Sequence, residues 1–378
     1  MKHYGLTPYH STLPELDTIF AKEYRNVVFL FLDGLGVYNL EKCLPPDSFL
    51  RTHLKKKITS VYPPTTAAAS TAMYSGLEPC ETGWLGWTQY FSEVDKNVTV
   101  YFNSDEQGLP AAKYDLMKKF CPYKPFVRLI NKHSEDLCEQ FEDGKITDPR
   151  LLKIVQAQSL EHLGETKEFD LSEIINTIEN VCATPGHHYL ECYYNQPDVL
   201  MHKLGVGSKT VKTKMKEIDI ALENLYKSVT AKKANDTVFI ITADHGHIDV
   251  DPAVLSDYSK ITACLKRSPS IDSRTPNFFV KEGLGEKFCT HFKKEFGSDH
   301  ILLSKQEVIN KHIFGAGGNE DELKKQFPDK KDYTDFIGDY VAFATGKRTI
   351  FNKRNKVKRG MHAGLTSEEM MVPLIVVE

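Results

Sequence analysis

No apolar run in this chain is long enough to cross a membrane. The longest strongly apolar stretch is VVFLFL, residues 27–32, where a spanning helix needs roughly 20. The N-terminal stretch MKHYGLTPYHSTLPELDTIF carries prolines and acids in place of the continuous apolar core of a secretion signal, so a soluble, cytoplasmic protein is expected. An excess of charge of one sign is also missing. The net charge is -3 and the pI near 6.5, which argues against a nucleic-acid polymer or an anionic membrane as partner. The eight cysteines, Cys43, Cys80, Cys121, Cys138, Cys182, Cys192, Cys264 and Cys289, contain no CxxC pair. They read as reduced thiols, not as a disulfide framework or a zinc knuckle. There is no internal repeat, and no Ser/Pro-rich linker divides the 378 residues.

What is present is the composition of an ordinary globular protein, 41% hydrophobic and 26% charged. Three short apolar runs, NVVFLFL at 26–32, DTVFIITA at 236–243 and VPLIVVE at 372–378, lack alternation, as expected for central parallel strands covered on both faces. HHYLECYYN at 187–195 is a fourth candidate. SKTVKTKMKEIDIALENLYKSV at 208–229 places Val211, Met215, Ile218, Ala221 and Leu225 at helical spacing. Strands alternating with helices predict an α/β fold, doubly wound around a mostly parallel central sheet. We expect one catalytic domain over 1–378, with 88–186 and 262–347 as insertions on its core. The lysine clusters at 55–57, 232–233, 324–325 and 330–331 read as solvated faces.

Open α/β sheets bind ligands beyond the carboxyl ends of their strands, and residues of one chemical type recur there. Asp33 follows the first run in DGLG, and Asp244 and His245 follow another in ADHGH. PDVLMHKLG places Asp198 and His202 four apart, on one face of a helical turn, and His362 precedes the last run in GMHAGLTSEEMMVP. A lone Asp or His at such a place is more often a cap or a turn residue. A set of six, all Asp or His, suits zinc or manganese and divides into two sites of three, each with an open position. SVYPPTTAAASTAMYSG adds a helix start behind two prolines and a stop at Gly76. Thr65 or Thr66 there is either an N-cap or a nucleophile at a helix N-terminus that favours an anion.

In this order the motifs resemble the alkaline phosphatase superfamily, and within it the nucleotide pyrophosphatase/type I phosphodiesterase branch. FLDGLG, YPPTTAAASTAMYSGLEPCETGWLGW, PDVLMHKLG, TADHGHID and MHAGLTSEEMMVPLI fit over nearly the whole chain. The resemblance implies that Thr66 is the nucleophile and forms a phospho-threonine. It implies two divalent ions, zinc before manganese: one on Asp198, His202 and His362, the other on Asp33, Asp244 and His245 with Thr66. The implied substrate is a small phosphate ester, a diester before a monoester, with a nucleotide among the candidates. A phosphomonoesterase, a phosphonate hydrolase and a catalytically silent binding protein are the competing readings. A sulfatase is excluded because CLPPD lacks the arginine its Cys-x-Pro-x-Arg signature requires.

One position departs from the pattern. Well-studied diesterases of this branch carry an Asn after the nucleophile helix that donates to a phosphate oxygen, and the equivalent residue here is Trp87. Trp87, His247 and Arg274 are the substrate-binding candidates. Packing is the competing role for Trp84 and Trp87, a solvated loop for His247 and a salt bridge for Arg274.

Overall fold

The computed structural model describes residues 1–160, 170–231 and 236–378. Its central sheet has six strands: β1 (Asn26–Leu32), β2 (Leu54–Thr59), β3 (Val155–Leu160), β4 (His187–Tyr194), β5 (Thr237–Thr242) and β6 (Met371–Val377), in the order β2-β6-β5-β1-β4-β3. β3, β4, β1 and β5 run parallel, and β6 is antiparallel to both its neighbours. The expected doubly wound α/β architecture is present.

Alternate residues of the apolar runs go to opposite faces, as the pleat requires. Val28, Leu30 and Leu32 pack with Leu190, Cys192, Phe239 and Ile241 under α2 (Leu171–Ala183) and the long helix α4 (Lys209–Thr230). Val27, Tyr189, Val238, Ile240 and Val376 face the other way, onto Phe126 and Ile130 of the helix Phe126–Glu142. α4 follows its predicted stripe at Val211, Met215, Ile218 and Leu225, which are buried, while Ala221 is half-buried and Leu222 beside it is buried, and Ser208 accepts from Val211 N at its start.

The segments 88–186 and 262–347 contribute in different ways. Residues 155–160 and 171–183 belong to the central layers. Thr88–Phe91 and Lys96–Thr99 instead join Ser270–Ile271, Pro276–Phe278, Tyr340–Ala344 and His300–Ser304 in a second, wholly antiparallel six-stranded sheet. That sheet has its own aromatic core, including Phe91, Phe278, Phe288, Phe292 and Phe343.

Lysines 55–57 and 324–325 are exposed as expected, while 232–233 lie outside the described residues. Lys330 departs from the expectation: it is buried and donates to the Thr82 carbonyl at 2.9 Å. All eight cysteines are free. Among the described residues no helix is long and apolar enough to cross a membrane.

Candidate active site

Register brings the site together. Leu32 pairs with Tyr194, and Phe31 with Thr242, so β1, β4 and β5 end side by side and their following residues share one crevice. Asp33 emerges from β1, Asp244 and His245 from β5. Asp198 and His202 come from the short helix α3 (Asp198–Leu204) that follows β4. The turns after β1 and β5 touch backbone to backbone: a Cβ on Gly36 would overlap Gly246 Cα, and one on Gly246 would overlap the Glu368 carbonyl. Gly246 N also donates to the Glu369 carbonyl at 2.7 Å. The glycines of DGLG and DHG therefore set the distance between the two acid-bearing turns.

Two clusters result. Asp33, Asp244 and His245 are all buried, and His245 Nε2 lies 3.3 Å from Asp33 Oδ1 and 3.4 Å from Asp244 Oδ2. In the other, His202 Nε2 and His362 Nε2 stand 3.4 and 3.8 Å from Asp198 Oδ1. Tetrahedral zinc with bonds near 2.05 Å separates its ligands by about 3.3 Å, so both spacings suit such an ion. The rings of His245 and His362 stack at 3.6 Å, joining the clusters.

Tautomers sharpen the assignment. His202 Nδ1 faces the Gly360 carbonyl at 2.8 Å, His245 Nδ1 that of Gly246 at 3.0 Å and His362 Nδ1 that of Pro64 at 3.1 Å. A carbonyl only accepts, so each Nδ1 carries the proton and each Nε2 turns a lone pair toward its cluster. His247 is different. Its Nε2 meets Asp198 Oδ1 at 2.6 Å as the donor, so its ring positions that carboxylate. Asp33 Oδ1 and Asp244 Oδ2 are buried without a hydrogen-bond donor, as two oxygens shaped for a cation would be.

Electrostatics divide the clusters. Burial, and then the facing Asp244, raise the Asp33 pKa well above the carboxylate range, and the Tyr193 hydroxyl donates to its Oδ2. Burial alone would raise Asp198 too, but His202 and His247 hold it well below that range. Burial lowers His202 to about 3, and lowers His247 and His362 as well.

Thr66 opens α1 (Thr66–Ser75), the expected helix, which closes at Gly76 with φ 73°. Its hydroxyl lies 3.4 Å from His245 Nε2. Thr65 occupies the N-cap position, yet its hydroxyl donates to Asp272 Oδ2 at 3.2 Å instead of capping the helix. Above Thr66 opens a cavity of about 1620 Å³, with Asp33, Asp198, His202 and His362 at its floor.

The structure places the remaining candidates unequally. Trp87 is 40% exposed on the cavity wall, against Tyr101 and Phe102, whereas Trp84 is buried with its indole N–H on the Cys121 carbonyl. Arg274 is corrected. It is fully buried away from the cavity, paired with Glu369 through Nε at 2.5 Å and Nη2 at 2.7 Å, and it also donates to Thr349 and Gly346. A guanidinium so fully engaged has no donor to offer a phosphate.

Sequence reasoning missed Tyr193, Asp272 and Lys358. Tyr193 hides inside an aromatic strand, and Lys358 inside a basic run that carries no motif. Asp272 hides in a short connection of the second sheet.

The comparisons with known proteins agree with this geometry. No curated protein sequence matches the chain. Murine ectonucleotide pyrophosphatase / phosphodiesterase 5, solved as an inactive threonine-to-alanine variant in complex with AMP, superposes with a TM-score of 0.63 at 15% identity. That match covers 93% of this chain and 87% of the murine one. The human counterpart gives 0.61 at 16% identity, over 92% and 87%. Residues 27–365 match the family model described as type I phosphodiesterase / nucleotide pyrophosphatase. The chain belongs to the type I phosphodiesterase / nucleotide pyrophosphatase family.

Proposed function

We propose that this metal-dependent phosphodiesterase works through a phospho-threonine on Thr66, with its two divalent ions held by Asp198, His202 and His362 and by Asp33, Asp244 and His245. The observation that carries this reading is the position of the Thr66 hydroxyl. It lies at a helix N-terminus, 3.4 Å from His245 Nε2, and lines one cavity with Asp33, Asp198, His202 and His362. The murine neighbour, inactive as a threonine-to-alanine variant, supports the choice of nucleophile.

Divalent ions bound there would supply Lewis-acid chemistry, lowering the hydroxyl pKa and stabilising the leaving oxygen. The rest falls to the chain itself. Thr66 Oγ attacks phosphorus in line, and the bond to the leaving oxygen breaks on the opposite side. Water then cleaves the phospho-threonine and restores the hydroxyl. The first N–H groups of α1 have no partners within the helix, and they point toward the negative charge that grows on the phosphoryl oxygens. The Nδ1–H bonds of His202, His245 and His362 keep their rings from rotating as charge moves.

Zinc is our choice of ion, on the Asp/His donor set and the spacings between ligand atoms. The substrate is a small phosphodiester, and a nucleotide is supported by the murine neighbour's AMP and by the exposed Trp87 and Phe102. Free thiols throughout support a cytoplasmic location.

The test is hydrolysis of an aryl phosphodiester and its matching monoester, with zinc or manganese added, against Thr66→Ala. We expect the diester to be preferred and the substitution to lower kcat by roughly 10⁴ or more. Faster turnover of the monoester would make the enzyme a phosphatase, and activity surviving in Thr66→Ala would assign the nucleophile elsewhere.

A further inference from the structure

Lys358 lies four residues before His362 in the basic run NKRNKVKRGMH. Arg354 of that run turns away to pair with Asp257 at 2.8 Å, and Lys353, which lines the cavity as Lys356 and Arg359 do, is paired with Glu106 at 3.9 Å. Lys358 lines the cavity together with Thr66, Asp198 and His362. Its backbone is not free to drift. Arg359 N donates to the His202 carbonyl at 3.0 Å, Arg359 O accepts from Val250 N, and the Gly360 carbonyl orients His202.

The ammonium is crowded by acids without being claimed by one. Asp198, Asp272 and Asp33 all act on it, and it in turn lowers His202, His247 and Asp272. Lys358 as a residue is exposed, yet desolvation by the protein around its ammonium pulls its pKa below the ordinary lysine value. Among the described residues no carboxylate stands within 4 Å of its nitrogen, while ion pairs of that length form along the rest of the run. In the working enzyme Asp33 and Asp198 are committed to cations, and two divalent ions outweigh the three ligand carboxylates. Asp272 already accepts from Thr65 and Ser273, so the anion left for this ammonium is the substrate.

We propose that Lys358 is a catalytic residue, donating a hydrogen bond from its ammonium to a non-bridging oxygen of the phosphoryl group. This rests on the diesterase reading above. Where the family pattern carries its phosphate-contacting Asn this chain has Trp87, and Lys358 is a cation lining the same cavity that supplies a donor in its stead. The ammonium is a point charge on a flexible stem, so it follows the oxygen as phosphorus inverts. A planar amide, fixed by its partners, could not.

The test compares Lys358→Ala and Lys358→Arg with the parent, metal-loaded, on the aryl phosphodiester. For Lys358→Ala, kcat/KM should fall about 100-fold, the size of losing one preorganised oxyanion donor. Metal content and melting temperature should be unchanged. Ethylammonium added to the buffer should restore part of that activity, and should do nothing for Thr66→Ala. Lys358→Arg should lose less than Lys358→Ala. A second measurement needs no turnover: calorimetric binding of inorganic phosphate to zinc-loaded Thr66→Ala, with and without Lys358→Ala. Removing the ammonium should weaken phosphate about tenfold or more, as expected for a charge-assisted hydrogen bond. Parental phosphate affinity, or an activity loss that tracks lost metal, would overturn the proposal. Absence of diester turnover in the parent would instead sink the diesterase reading, and the phosphate titration would still decide on Lys358.

Discussion

Asp198 sits among three imidazoles, whereas Asp33 faces a second carboxylate, Asp244. The two clusters stack ring on ring, through His245 and His362, yet their charge balance is opposite. In the four-residue cluster the surrounding imidazoles outweigh burial and hold Asp198 ionised, His247 by donating its Nε2–H. The three-residue cluster cannot, and burial beside Asp244 pushes Asp33 toward the protonated acid. A cation is a convenience for the first and a requirement for the second. Charge, more than ligand count, separates two sites that look alike in sequence.

The strongest way to break that contrast is to neutralise one carboxylate in each cluster. In the metal-loaded enzyme, Asp244→Asn and Asp198→Asn should each lower kcat/KM by about 10³, the several kcal/mol that a metal centre contributes. After chelation the two variants should part. Asp198→Asn should destabilise the fold by about 1–3 kcal/mol, because His247 loses its ionised acceptor. Asp244→Asn removes a repulsion, and its melting temperature should rise above that of the chelated parent. Melting temperatures that move in the same direction would refute the contrast.

A smaller effect sharpens it. His247 donates to Asp198 and points no lone pair at the cluster, so His247→Gln should weaken metal binding 10- to 100-fold, as loss of an orienting partner does. The cation on Asp33, Asp244 and His245 should be retained. Metal analysis showing one ion of two lost on dialysis fits this, and loss of both does not.

The smallest effect is in pH. In the chelated protein the folded pKa of His202, about 3 against the ordinary 6.5, is depressed. Folding favours the neutral ring, so its contribution is fully present above pH 6.5 and is lost as pH falls toward about 3. Asp33 has the opposite sign. Its folded pKa is raised, so its contribution is present below the ordinary 3.8 and is lost as pH rises through the folded value. Melting temperature against pH should therefore show two limbs. His202→Gln should flatten the acid limb and Asp244→Asn the alkaline one.

Much of the floor of the site was legible in the sequence because strand ends are legible. An apolar run without alternation, followed at once by an acid, locates Asp33 and Asp244, and the four-residue spacing of Asp198 and His202 is a helical turn. The walls were legible only at Trp87, which the family pattern singles out. Lys358 and Asp272 reach the cavity from segments outside the strand-to-ligand rhythm, and two strands of the second sheet are only two and three residues long, Ser270–Ile271 and Pro276–Phe278. Strands so short carry no periodicity. Arg274 failed for a related reason: its partner Glu369 stands 95 residues away, and nothing local marks the pair.

The contact between Gly36 and Gly246 has a consequence for how such an enzyme can be altered. With no side chain between them, the two turns cannot be shifted a little. A larger residue at either position displaces Asp33 and His245 together, and a smaller one does not exist. The floor thus admits no gradual retuning, and new substrates have to be accommodated by the walls. Those walls are the hairpin bearing Trp87 and the part of the basic run that precedes Arg359, whose side chains can change without replacing a ligand or the backbone that orients one. A library confined to these two segments searches specificity, while one that includes the glycines mostly samples dead protein.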